Sequence, residues 1–163
     1  MTRFSLTGGK FVRLSGLLIL LGLPLMGCAG TRSKGFHDVS VNDALQSKTG
    51  QEKLLELPFF MSGQEHPPVT AELGIFKSSK RTVNGRGVEE KCRTAFLSAV
   101  ISLQSRAQKM GGDAVVDIRS TTRNRPLDSA DQFRCVAGNG GKMVNVTLEG
   151  RVVKFTESGD PAL

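Results

Sequence analysis

The chain has 163 residues, with 22 Lys and Arg against 15 Asp and Glu and a formal charge of +7. That length suits one domain and leaves little room for a second. With 39% hydrophobic and 23% charged residues, and 19 Gly with 6 Pro, the composition excludes a fibrous or low-complexity chain.

Residues 1 to 13 carry Arg3, Lys10 and Arg13 without an acid, and residues 14 to 26 form an uncharged apolar run of 13. A bilayer-spanning helix needs about 20 such residues, so the layout predicts an export signal. Leu25-Met26-Gly27-Cys28 resembles the lipobox of bacterial lipoproteins. In that family the cysteine thiol takes a diacylglycerol, the chain is cut before the cysteine, and the new amino group is acylated. Each buried CH2 contributes about 0.8 kcal/mol, so several chains hold a protein firmly on a bilayer. The resemblance implies a signal peptide over residues 1 to 27, palmitate-type lipidation of Cys28, and a membrane as partner through that anchor. Ala29 stands where an Asp would resemble an inner-membrane retention signal, which implies the outer membrane of a Gram-negative envelope. The alternative is an ordinary secreted chain in which Cys28 is incidental.

Removing residues 1 to 27 takes away three basic side chains and no acid, leaving 19 against 15, or +4. Export, together with the lack of Trp and Tyr for base stacking, argues against a nucleic-acid partner. Residues 28 to 39 mix small and charged positions without periodicity and predict a tether. The domain is expected over residues 40 to 157, with a tail at 158 to 163. Ser40 and Asp43 have the spacing of a capping box, predicting a short helix to about Gln46. Residues 54 to 61 (LLELPFFM) predict a strand, an edge or broken one because Pro58 has no N–H to donate. A second strand follows from the alternation of Val69, Ala71, Leu73 and Ile75.

The clearest element covers residues 88 to 110. Cys92, Ala95, Phe96, Ala99, Val100, Leu103, Ala107 and Met110 form one apolar helix face, which Leu97 and Ile101 widen. Glu89 and Glu90 at its start and Lys109 at its end match the macrodipole, and Gly111-Gly112 predicts the stop. Residues 114 to 121 predict a strand with Val116 and Ile118 on one face and Asp117 and Arg119 on the other. Residues 132 to 137 predict another, and 138 to 141 a turn. The last strand alternates Val144, Val146 and Leu148 with polar residues, and a change of phase beyond Gly150 predicts a bulge there. The expected fold is α+β, with one main helix packed across a largely antiparallel sheet of about five strands, in the order β-β-α-β-β-β after a short helix.

Cys92 and Cys135 remain for the domain. In an oxidising compartment they are expected to pair, closing a loop of about 44 residues between helix and strand. A redox-active pair or a metal site are the alternatives, although no Cys-x-x-Cys spacing supports the former. The segment CRTAFLSAVISLQSRAQKMGGDAVVDIRS at residues 92 to 120, the strand at 132 to 137 and the ending Leu148-Glu149-Gly150-Arg151-Val152-Val153 resemble a family of small exported bacterial proteins sometimes labelled excinuclease-ATPase-like. More distantly, the helix, the Gly-rich turn and the Ala-Val-Val strand resemble the Rcs-type envelope-stress sensor lipoprotein and heavy-metal-binding-like small domains. In that sensor a helix cysteine is bridged to one on a later strand. It also has a second bridge, for which this chain has no cysteines.

An ATPase would need the G-x-x-x-x-G-K-[ST] phosphate loop. Gly138 to Met143 approaches it, but the spacing is wrong and Met143 replaces the hydroxyl residue. His37, in the tether, and His66, beside Pro67-Pro68, have no sequence neighbours that suggest catalysis, so the chain is expected not to be an enzyme. The soft ligands are fewer than a closed metal site requires, and no cofactor is expected beyond the lipid on Cys28. Lys77, Lys80, Arg81 and Arg86 form one basic cluster, and Arg119, Arg123 and Arg125 another. Both are solvated faces or contacts for anionic lipid headgroups or lipopolysaccharide. The leading expectation is a lipid-anchored, non-enzymatic envelope protein that binds another envelope component, an envelope protein among the candidates, or senses envelope state. The second is a domain that binds a small ligand or metal in the periplasm.

Overall fold

The computed structural model describes residues 35–156. The expected export signal, the expected lipidation site at Cys28, most of the expected tether and the tail at 158 to 163 lie outside the described residues. The tether expectation is corrected at its end. Phe36–Ser40 is a strand (β1), antiparallel to a later strand and opposite residues 132 to 136. Short-range composition concealed it, because only Val39 of its five side chains is buried.

Two short helices follow, Val41–Leu45 (α1) and Lys48–Lys53 (α2). Ser40 caps the first as expected, its Oγ accepting from the Asp43 N–H at 3.2 Å. Ser47 does the same for the second through Gly50 N–H. Phe59–Met61 (β2) is all that becomes strand in the segment 54 to 61. It lies at the sheet edge, begins directly after Pro58, and runs parallel to a later strand, so the sheet is mixed. Residues 54 to 57 are held instead by a side chain, as described below.

Val69–Thr82 (β3) leads to the main helix Val88–Lys109 (α3), then Ala114–Ser120 (β4), Gln132–Gly138 (β5) and Met143–Phe155 (β6). Gly111 ends α3 with φ +68°, a left-handed turn that glycine adopts without Cβ strain. β6 is the centre of the sheet. One edge pairs with β3 along nearly its whole length; the other pairs with β5 near Met143 to Val146 and with β4 from Leu148 onward. β1 extends the sheet beyond β5 and β2 beyond β4.

The α+β expectation of one main helix on a sheet holds. The buried face of α3, including Cys92, Phe96, Val100 and Leu103, packs with Val115, Ile118, Phe133, Val146, Leu148 and Val152 in one core. Leu97 joins it, whereas Met110 at the helix end is exposed. A smaller cluster of Ala114, Val116 and Val153, with Phe60 and Phe155, covers the far end of the opposite face. Among the described residues, no helix is long and apolar enough to cross a membrane.

Two sequence expectations are corrected here. Val116 and Ile118 do not share a face: the register shifts between Val116 and Arg119, where β4 carries an extra residue and Asp117 takes φ +51°. The extra residues therefore lie in β4 and, opposite Val152 to Phe155, in β3, and not in β6, whose inward positions alternate without interruption from Val144 through Leu148 and Gly150 to Val152. A Cβ on Gly150 would lie 2.8 Å from Val115 Cγ1 and 2.9 Å from Ile118 Cγ1. The glycine thus makes room for the two side chains that the bulge brings to the core. The phase change beyond it reflects the second cluster, which buries Val153 on the other face.

Candidate functional site

Cys92 lies in the first turns of α3 and Cys135 in the middle of β5, with Cα atoms 5.8 Å apart and both side chains buried, and they form a disulfide. One helical turn from Cys92 and two residues before Cys135, the Phe96 and Phe133 rings stack with centroids 4.1 Å apart. Helix periodicity and strand alternation each place a cysteine and a phenylalanine on one line, so covalent bond and stacked pair join the same two elements. The bond occupies both domain thiols, which removes them from the soft-ligand set that the metal alternative needs. His37, expected in the tether, is in β1 opposite Cys135. His66 remains in a loop, its ring stacked on Phe155 with centroids 6.2 Å apart.

Two sets of polar groups hold the backbone where the sheet cannot. Buried Gln104 on α3 accepts from Leu55 N–H at 3.2 Å and donates to the carbonyls of Leu55 at 3.0 Å and Leu57 at 2.7 Å. Its amide satisfies a segment that would otherwise bring unpaired groups against the core. Where β4 and β5 diverge from β6, buried Thr122 donates to the Arg134 carbonyl at 2.9 Å and accepts from Thr147 N–H at 3.0 Å. Ser120 Oγ accepts from Arg134 N–H at 2.9 Å, closing the fork.

The sheet face away from α3 carries the charges. A groove of about 280 Å3 is bordered by Asp117, Arg119, Asp128, Glu149 and Arg151 around exposed Ile75. These charges pair with one another. Arg119 donates to Glu149 at 2.8 Å and lies near Asp128, while Lys77 reaches Glu149 at 3.2 Å from the other side. Arg151 bridges Asp117 and Glu72. The Arg119 hydrogen bond is the main cause holding the Glu149 carboxyl below its ordinary range, against the opposing effect of partial burial and with help from Lys77. Nearby, Arg134 makes a two-pronged pair with Asp38 at 2.7 Å for each contact and lowers that carboxyl likewise.

The four cations expected to share an anionic contact are separated. Lys77 is taken up by Glu149. Lys80 pairs with Val146 in register and so sits on the helix side of β3, while Lys77 and Arg81 point to the other face. Arg86 is in the loop before α3, beyond the end of β3. Arg119 leaves the second cluster for the paired groove. Arg81 instead meets Arg123: one cavity is lined by Arg81, Arg123, Val136 and Met143, and an adjoining one of about 550 Å3 by Arg123, Arg125, Val136 and Phe36. Arg125 lies over the Phe36 ring at 5.6 Å. Among the described residues none of these three guanidinium groups has an acidic partner. The sequence offered the basic residues but not their grouping, since it put Phe36 in the tether and Arg81 with the wrong neighbours.

Comparison of the chain with family models, curated proteins and solved structures finds no match.

Proposed function

We propose that the chain is a lipid-anchored, non-enzymatic component of the bacterial cell envelope, with its α+β domain held at the outer membrane through Cys28 and used for interaction or sensing. The observation that carries this reading is the buried Cys92–Cys135 disulfide. A structural disulfide is favoured where thiols oxidise outside the cytosol, and this one leaves Cys28, at the end of the apolar run, as the only cysteine for another use. The open-face groove supports binding over catalysis, because its carboxylates are engaged by arginines and none is left in a pair suited to proton transfer.

Metabolic labelling with radioactive palmitate in a Gram-negative host tests the anchor. The wild-type chain should incorporate label and partition with membranes, whereas Cys28→Ala should incorporate none. Equal labelling of the two would refute lipidation at this residue. Crosslinking and pull-down from native membranes then tests for an envelope protein partner.

A further inference from the structure

We infer that the surface formed by Arg81, Arg123 and Arg125 around Phe36 is a docking face for the anionic headgroups of the bilayer that carries the anchor. The inference rests on the proposed lipidation of Cys28. Three independent observations converge on it.

The first is charge. Across the rest of this sheet face, Lys77, Arg119, Arg134 and Arg151 each have a carboxylate partner. Arg81, Arg123 and Arg125 are exposed cations without one among the described residues. Guanidinium groups suit phosphate because their N–H donors match two oxygens at once.

The second is shape and chemistry. Arg123 and Val136 line both cavities, so the two form one continuous basic surface with Phe36 and Met143 as apolar elements. Cations around a partly exposed aromatic suit a membrane interface, where headgroup phosphate lies above acyl carbon. Arg123 holds φ +50° and Asn124 φ +54° in the turn that presents Arg123 and Arg125. The backbone there is fixed in a conformation uncommon for side chains larger than glycine.

The third is position. Phe36 opens β1, and only residues 29 to 35 separate it from Cys28. Fully extended, that stretch reaches no more than ~28 Å. Its sequence, AGTRSKG, adds Arg32 and Lys34 and no acid. The ends of β3 and β5 and the start of β6 meet at this same end of the sheet, through the pairs Thr82 with Val144 and Gly138 with Met143. A chain anchored at Cys28 therefore presents this basic end to the bilayer first.

The test uses the full chain with Cys28→Ala, so that binding needs no lipid. Co-sedimentation is measured with vesicles of phosphatidylcholine alone and with 30% phosphatidylglycerol. Apolar binding by the N-terminal run is common to both vesicles and cancels in their ratio. We expect the preference for phosphatidylglycerol to fall on the order of 100-fold in the Arg81→Gln/Arg123→Gln/Arg125→Gln variant at low salt, given roughly a fivefold factor per basic residue at an anionic surface. Raising the salt should erase the difference. The corresponding triple Lys variant should keep most of the preference. An unchanged ratio in the folded Gln variant would overturn the proposal. So would loss in the Lys variant, or saturation of the site by millimolar inorganic phosphate without vesicle preference, since either points to a shaped pocket for a free anion. Palmitate labelling of the wild type is read separately, so failure of the anchor and failure of the docking face are told apart.

Discussion

Gln104 shows what a single polar side chain does in this core. It sits on the apolar face of α3, 1% exposed, and its amide makes three hydrogen bonds to the backbone at Leu55 and Leu57. Replacement by Leu keeps the volume but leaves two carbonyls and one N–H without their partner. Groups orphaned in this way cost about 1–3 kcal/mol each when water cannot reach them. Gln104→Leu should therefore destabilise the domain by roughly 2–4 kcal/mol in urea unfolding, while a distant exposed change such as Lys48→Gln should be nearly neutral. Equal stability of Gln104→Leu and wild type would show that the segment 54 to 57 does not depend on this residue. The helix pattern places position 104 among buried neighbours, but nothing local reveals that its partner is a segment 47 to 49 residues earlier.

At the scale of elements, the joint between α3 and β5 matters most. The disulfide closes a loop of 43 residues of sequence separation, and the chain-entropy relation assigns such a loop about 4 kcal/mol, with the mechanism itself debated. The stacked Phe96–Phe133 pair remains when the bond is removed. Cys92→Ser/Cys135→Ser should thus fold at low temperature, with a clearly lowered Tm, and reductant should lower the wild-type Tm by a similar amount but leave the variant unchanged. A reductant-insensitive wild type would mean that the bond does not form in solution. The elements themselves were legible to different degrees. α3 announces itself through about six turns of amphipathic sequence, acids in its first turn and a glycine stop. β1 does not, because four of its five side chains are wholly or partly exposed and its hydrogen bonds go to a strand almost a hundred residues away. The extra residue at Asp117 was likewise hidden. A bulge changes which side chains share a face, yet it leaves the local run Ala-Val-Val-Asp-Ile unremarkable.

Across the whole molecule, charge is arranged more than it is abundant. The open sheet face pairs its acids and bases internally, and the end where β1 begins leaves Arg81, Arg123 and Arg125 without an acidic partner among the described residues. Asp38 and Glu149 have carboxyls lowered chiefly by hydrogen bonds from Arg134 and Arg119. A group with a lowered folded pKa binds its proton less readily than in the unfolded chain, so its stabilisation is complete above the unfolded carboxylate range of about pH 4–5. It is lost as the pH falls through the lower folded value. Stability should therefore be flat near neutrality and decline in acid below about pH 4. Asp38→Asn should flatten part of that decline and cost about 0.2–1 kcal/mol at pH 7, as expected for a well-aligned but partly exposed pair. Urea midpoints between pH 2 and 7 would check both; a midpoint that rises on acidification would contradict the assignment.

The sequence by itself determined what depends on near neighbours. The Ser40 cap, the amphipathic main helix with Cys92 on its apolar face, and the break at Pro58 before β2 all follow from periods of two to four residues and from residue chemistry. Only the tertiary structure decided which cations are neutralised and which are left over, that β2 runs parallel to β4, and that Phe36 belongs to the domain. Those outcomes are set by register between segments tens of residues apart. In such pairings each local pattern is compatible with several partners, and burial of the shared core selects one.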